Sequence, residues 1–174
     1  MNSLITIREA DPTGPDAPVI SALLRAYLQQ TEREKRVHAG EDAPENLDVT
    51  VLPEKYQREV DQPAVALANS RILLAEKLGR PVGIVVLHPG DGATVPGGDA
   101  TDTEIKRLWV SPEHRGGVGR ALLDSALSEV HGAALLSVWD WRHDAIGLYK
   151  RLGFVSIPSR DGRPRLEWLR RAAR

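Results

Sequence analysis

Glu104-Ile105-Lys106-Arg107-Leu108-Trp109-Val110-Ser111-Pro112-Glu113-His114-Arg115-Gly116-Gly117-Val118-Gly119-Arg120-Ala121-Leu122-Leu123 is the stretch that decides the reading of this chain. Thr103 to Val110 reads as a strand, and Ser111 to Gly117, with its proline and glycines, as a turn. Val118, Leu122, Leu123, Ala126, Leu127 and Val130 then recur at helical spacing. A glycine-rich turn between a strand and a helix has a direct physical use. Glycine lets the backbone approach a ligand closely and accepts positive φ. The first helical turn offers unbonded N–H groups and the positive end of the helix dipole. Together they suit a phosphate or pyrophosphate, with Arg115 and Arg120 adding charge. The alternative is a tight turn that binds nothing.

Two nucleotide readings fail on context. A nucleotide P-loop needs Lys-Ser/Thr after its last glycine, and Arg120-Ala121 follow here. A dinucleotide fingerprint needs an early strand and an acidic residue about 20 positions on. Here the turn lies deep in the chain, and the strand at 134–138 holds no carboxylate.

Outward from this stretch, the pattern predicts further elements. Leu4, Ile5 and Ile7 predict an opening strand, and Asp11 to Pro18 a loop. Val19, Ile20, Leu23, Leu24, Tyr27 and Leu28 predict a helix whose charged continuation, Thr31 to Glu45, frays or extends. Pro53 to Val60 predicts a short helix. Ile72–Ala75 and Val82–Leu87 read as a hairpin around Gly79-Arg80-Pro81, and His88 to Asp102 as a long loop. After the central helix come a strand at 134–138, a helix at 145–152, and strands at 154–157 and 166–169. The Arg-rich end, Arg163 to Arg174, reads as a solvated tail.

The composition bounds the class. The 174 residues make one domain, 1–174, with 41% hydrophobic and 27% charged residues, the balance of an ordinary globular protein. Lys+Arg 23 against Asp+Glu 24 gives a net charge of −1, which argues against a nucleic-acid partner. With no cysteine there is neither a disulfide framework nor a thiol nucleophile, and the five histidines show no zinc-binding spacing, so no metal is expected. No apolar run reaches the ~18 residues of a membrane helix. The opening residues are too few and too polar for a signal peptide, and a cytoplasmic protein with no membrane partner is the expectation.

The stretch from Glu104 to Leu123 resembles the acetyl-CoA-binding motif of the GNAT superfamily of N-acyltransferases. Ala145-Ile146-Gly147-Leu148-Tyr149-Lys150-Arg151-Leu152-Gly153-Phe154 is similar to that superfamily's Ala-x-x-Leu-Tyr-x-x-x-Gly-Phe segment. The two occur in the family's order, and the likeness covers residues 71 to 158. It implies an α/β (α+β) fold: a mixed, mostly antiparallel six- or seven-stranded sheet, splayed centrally and flanked by about four helices. The resemblance also implies acetyl-CoA as co-substrate. Main-chain groups of Leu108, Trp109 and Val110 would then meet the pantetheine arm, and Arg115, Gly116, Gly117, Val118, Gly119 and Arg120 the pyrophosphate. Ile105 and Leu108 lie three apart, so strict alternation slips once, as a bulged strand requires. There are two departures from the family pattern. The glycine turn is one residue shorter than usual, which leaves the register of its contacts open by one. Arg142 stands where many members have an Asn that touches the CoA arm, so by resemblance it is a candidate cofactor contact, unless that contact is lost here.

The implied reaction is attack of an amine on the thioester. By resemblance Tyr149 is the general acid for the departing thiolate, with packing against the strand at 134–138 as its plainer role. Glu104 is a candidate base acting through water, or else a partner of Lys106 or Arg107; His143 and Asp140 are weaker candidates. The Val110 N–H is the candidate oxyanion donor. Trp139 and Trp141 read as capping the core, with an apolar acceptor slot as the alternative. Arg142 and Arg151 could anchor an acidic substrate. Glu32, Glu34, Glu41, Asp42 and Glu45 either favour a cationic amine or form a solvated helix face. The leading reading is a small-molecule amine N-acetyltransferase, monomeric or homodimeric. The alternatives are a protein or peptide N-acyltransferase and a non-catalytic CoA-binding sensor.

Overall fold

The computed structural model describes residues 4–38, 50–90 and 102–174. Every strand among them belongs to one seven-stranded sheet. In chain order the elements are β1 (Ile5–Glu9), α1 (Ala17–His38), α2 (Glu54–Asp61), α3 (Pro63–Ala66), β2 (Arg71–Lys77), β3 (Arg80–Pro89) and β4 (Thr103–Val110). A short 3-10 turn at Pro112–His114 leads to α4 (Val118–Ser128), β5 (Ala134–Trp139), α5 (His143–Arg151), β6 (Val155–Ile157) and β7 (Leu166–Arg171). The sheet order is β1-β2-β3-β4-β5-β7-β6, with only the β4–β5 pair parallel. This is the mixed, mostly antiparallel sheet expected. Five α-helices flank it rather than four, the extra one being the four-residue α3.

The central strands are buried on both faces, which is why Ile72-Leu73-Leu74-Ala75 reads as an unbroken apolar run. Ile72 and Leu74 point to one core with α1, α2 and the residue after α3, among them Ile20, Leu24, Leu28, Val60 and Leu67. Leu73 and Ala75 point to the other, with α4 and α5, among them Leu122, Leu123, Ile146 and Tyr149.

Several expectations are corrected. The hairpin turns on Leu78 and Gly79, both at positive φ, and Arg80 pairs with Lys77 inside the ladder. The helix starts at Ala17, inside the expected loop, and runs through the charged segment to His38, because Thr31 continues its buried stripe and Glu34 is held by other elements. The Arg-rich end is no solvated tail: Leu166–Arg171 pairs along all of β5, with Trp168 and Leu169 buried. Pairing between β5 and β6 through β7 needs this strand, and its arginines sit at the partly exposed positions. β3 extends to Pro89, whereas the tip of the expected loop, 91–101, lies outside the described residues. None of the described helices is long and apolar enough to cross a membrane.

Candidate active site

Strands β4 and β5 run side by side only at Thr103↔Ala134 and Glu104↔Leu135, and beyond that pair they part. The opening forms a cleft of about 1230 Å³, lined by β4, β5, the glycine loop and faces of α1, α2 and α5.

The parting coincides with a bulge. The register against β3 shifts between Ile84↔Trp109 and Val86↔Lys106, and Arg107 takes φ 55°. This is the slip that the Ile105–Leu108 spacing predicts. Ile105, Leu108 and Val110 consequently face the α4–α5 core, while Trp109 packs on the α1 side. Ser111 N–H donates to the Val82 carbonyl at 2.9 Å. By the alternation of an antiparallel ladder, Val110 therefore turns its N–H and C=O to the opposite edge, toward the opening. Its carbonyl accepts the Arg115 Nε at 3.4 Å.

Below the opening, Gly116 and Gly117 have φ of 113° and 103°, a region that favours glycine. A Cβ at either would meet nothing within 4 Å, so conformation and not crowding demands glycine there. Gly117 caps α4, and Ala121 N–H is bonded to its carbonyl at 2.9 Å. The amides of Val118, Gly119 and Arg120 precede that bond and stand as orphan donors at the helix N-terminus. Their side chains are not the anion site. Val118 is buried in the core, and the Arg120 guanidinium lies back on Asp124 at 2.9 Å. Arg115 is exposed and reaches Gln30 at 3.2 Å. A loop of free amides beside a cleft of this size fits the diphosphate and arm of coenzyme A, and the shortened turn keeps both positive-φ glycines.

Tyr149 packs edge-on to Phe154 at 5.9 Å in the core and also lines the cleft, so both roles considered for it are compatible. Burial pushes its phenol well above the ordinary range; Tyr27 adds to the rise and Arg142 opposes it. Glu104 sits at the last β4–β5 pair and lines the cleft, with Lys106 Nζ at 3.7 Å. Arg107 does not join it, being bonded to Glu59. His143 is exposed at the start of α5, and Asp140 is paired with Arg165 at 3.0 Å.

Arg142 departs from the expected cofactor contact. Its Nε donates to Glu34 at 2.8 Å and its Nη2 to the Thr31 hydroxyl at 2.8 Å, so α1 engages the guanidinium. Glu34 also accepts Trp141 Nε1 at 3.1 Å and Gln30 at 2.7 Å. Burial raises the pKa of Glu34, but these bonds and the Arg142 charge outweigh it, and the net shift is downward. Glu34 is thus no member of a solvated face, and Glu32 is paired with Lys35; Glu41, Asp42 and Glu45 lie outside the described residues. Trp139 and Trp141 stack on each other at 4.9 Å, with His38 on Trp141 at 4.6 Å. Both indoles line the cleft rather than cap the core.

Trp109 Nε1 donates to Gln30 at 2.9 Å, so its side chain holds α1, and its pairing with Ile84 turns its own N–H and C=O to β3 rather than to the opening, unlike the main-chain contact expected of it. Gln30 and the Glu59–Arg107 pair carry no local motif. The one sequence signal near them is the slipped alternation that singles out Arg107.

The sequence profile of the Acetyltransferase (GNAT) family matches residues 37–154. The chain belongs to this family. Among solved structures it is similar to PaiA N-acetyltransferase from Thermoplasma acidophilum in complex with coenzyme A, with TM-score 0.66 and 16% identity over 97% of this chain and 99% of that one. It is also similar to ribosomal-protein-alanine N-acetyltransferase from Brucella melitensis, with TM-score 0.63 and 20% identity over 96% and 99% of the two chains. A GNAT-family acetyltransferase from Staphylococcus aureus MU50 gives TM-score 0.64 and 15% identity over 98% and 100%. No curated protein matches the sequence. Among the described residues no group of three or more side chains could hold a metal ion.

Proposed function

We propose that this GNAT domain transfers an acetyl group from acetyl-CoA to a primary amine of a small-molecule acceptor. The observation that carries the reading is the juxtaposition at one opening of free loop amides, the outward-turned Val110 N–H and the Tyr149 phenol. The cleft, about 1230 Å³ and shared between the glycine loop and the faces of α1 and α2, has the scale of a ligand pocket.

Acetyl-CoA supplies the thioester carbonyl and a thiol leaving group. The amides from Gly116 to Arg120 hold its diphosphate. The Val110 N–H donates to the carbonyl oxygen as negative charge gathers there, a contribution of about 10²–10³ in rate for one such donor. Glu104 takes a proton from the acceptor ammonium, directly or through water, and the neutral amine attacks the thioester carbonyl; as the C–S bond breaks, Tyr149 gives its proton to the leaving sulfur, and the second proton lost by the nitrogen restores the phenol. Burial favours the neutral phenol, the form from which an acid donates.

Titration calorimetry with acetyl-CoA tests binding, and free-thiol release over an amine panel tests turnover. Tyr149→Phe is expected to lower kcat about 10²-fold or more, with acetyl-CoA affinity held within about twofold. A silent titration ends the reading, and unchanged kcat in Tyr149→Phe ends the acid role. Binding without thiol release from any amine or peptide identifies a sensor instead. Release with peptides alone identifies a protein acyltransferase.

A further inference from the structure

Arg107 is a non-glycine residue in the left-handed region, with φ 55°, at the one position where the β4 ladder slips. Such a conformation persists in a bulky residue only where its surroundings hold it. Here they do. Arg107 Nε and Nη2 donate to the two carboxylate oxygens of Glu59, at 2.6 and 2.9 Å. The pair is largely shut from solvent, with side-chain exposures of 21% and 10%. The guanidinium also lies 5.7 Å from the Tyr27 ring and 5.6 Å from the Tyr56 ring. Glu59 and Tyr56 belong to α2 and Tyr27 to α1, so two helices that line the cleft grip one strand residue.

We infer that the Glu59–Arg107 pair is a positioning device for the thioester site: it pins the β4 bulge so that Leu108 and Val110 present their main-chain groups to the opening. A strand that loses a one-residue slip exchanges the faces of every residue beyond it. Without the bulge, Leu108 would leave the α4–α5 core for the α1 side, and the amides lined up on the β5 edge would turn toward β3. A planar fork on a carboxylate fixes direction as well as charge, which a lysine at this position could not do. Burial opposes the Arg107 charge, but the bonds to Glu59 and its charge, with Tyr27 and Tyr56, outweigh it, and the guanidinium stays charged. The catalytic consequence rests on the transferase reading above, whereas the effect on the backbone does not.

The test compares Arg107→Gly, Arg107→Lys, Glu59→Gln and the Glu59→Gln/Arg107→Gly double variant with the wild type. Glycine accepts the left-handed conformation freely, and the double variant leaves no buried charge unpaired, so each retains a route to the fold. Two readouts are made on each: thiol release from acetyl-CoA, and amide hydrogen exchange of residues 108–110 followed by mass spectrometry. Arg107→Gly and the double variant are expected to lose kcat at least about tenfold, with KM for acetyl-CoA within about twofold, because the lost alignment matters most in the transition state. Exchange of the Trp109 amide, the one of the three that faces the β3 ladder, is expected to quicken at least about tenfold while β2 and the rest of β3 keep their protection. Arg107→Lys is expected to fall between, restoring the charge but not the fork. A purely structural pair would lower the melting temperature and leave kcat per folded molecule and exchange at 108–110 unchanged, and that result overturns the inference. If the wild type releases no thiol, the transferase reading fails alone, and the exchange measurement still decides whether the pair holds the bulge.

Discussion

Gly117 caps α4 at the foot of the opening. It sits at φ 103° with open space where a Cβ would be, so Gly117→Ala meets no clash and suffers only backbone strain. That strain costs about 1–2 kcal/mol, to be read as a lower melting temperature. If the loop holds the diphosphate, the same change weakens acetyl-CoA binding by about tenfold or more in calorimetry. The glycines were legible because their backbone role is local. The partners of charged residues were not. Arg142 is bonded to Glu34 and Thr31, and Arg107 to Glu59, across sequence separations of 108, 111 and 48 positions. No spacing within the chain announces such pairs. Tyr149 gives a prediction in pH. Its phenol is raised by burial, so the neutral form is the one the fold favours. That preference is complete below the phenol's ordinary pKa of about 10 and is lost only as pH rises toward the raised folded value. The alkaline limb of kcat should therefore show no loss from Tyr149 ionisation up to about pH 10.

At the level of elements, the junction of α1 with α5 is the part that departs most from its expected use. Arg142→Ala removes the bonds to Glu34 and Thr31 and leaves Glu34 with its Trp141 and Gln30 partners. A loss of about 1–3 kcal/mol is expected, with acetyl-CoA affinity within about twofold of wild type. A large loss of affinity would return Arg142 to the cofactor. The β1–α1 corner has its own signature. Arg8 bonds Asp16 and Glu76, and its hydrogen bonds hold the Asp16 carboxyl at about 2. Because that pKa lies below the unfolded value of about 3.9, the stabilisation is present above about pH 4 and lost as pH falls toward 2. Arg8→Ala should make the acid branch of the stability curve shallower over that window. Strands were readable from composition because β2 and β3 are apolar on both faces, and β4 announced its bulge through one broken alternation. The length of α1 was not readable. Its last turns are charged, and they are helical because Gln30, Thr31 and Glu34 find partners on β4 and around α5.

The whole molecule is one twisted partition with a core on each side, α1 to α3 against one face and α4 with α5 against the other. Among the described residues its two edge strands, β1 and β6, pair only on their inner sides. The parallel register of β4 and β5 holds for two residue pairs and then gives way, so the partition carries a gap at its middle. The glycine loop and α5 border that gap from one side and α1 with α2 from the other. A gap through a wall has two mouths. On the transferase reading proposed above, acetyl-CoA at the glycine loop and an acceptor beside α1 and α2 would occupy the gap together. No cysteine stands by to carry an acyl group between two half-reactions. Double-reciprocal plots at several acceptor concentrations should accordingly intersect, whereas parallel lines would mean that the passage is used by one guest at a time.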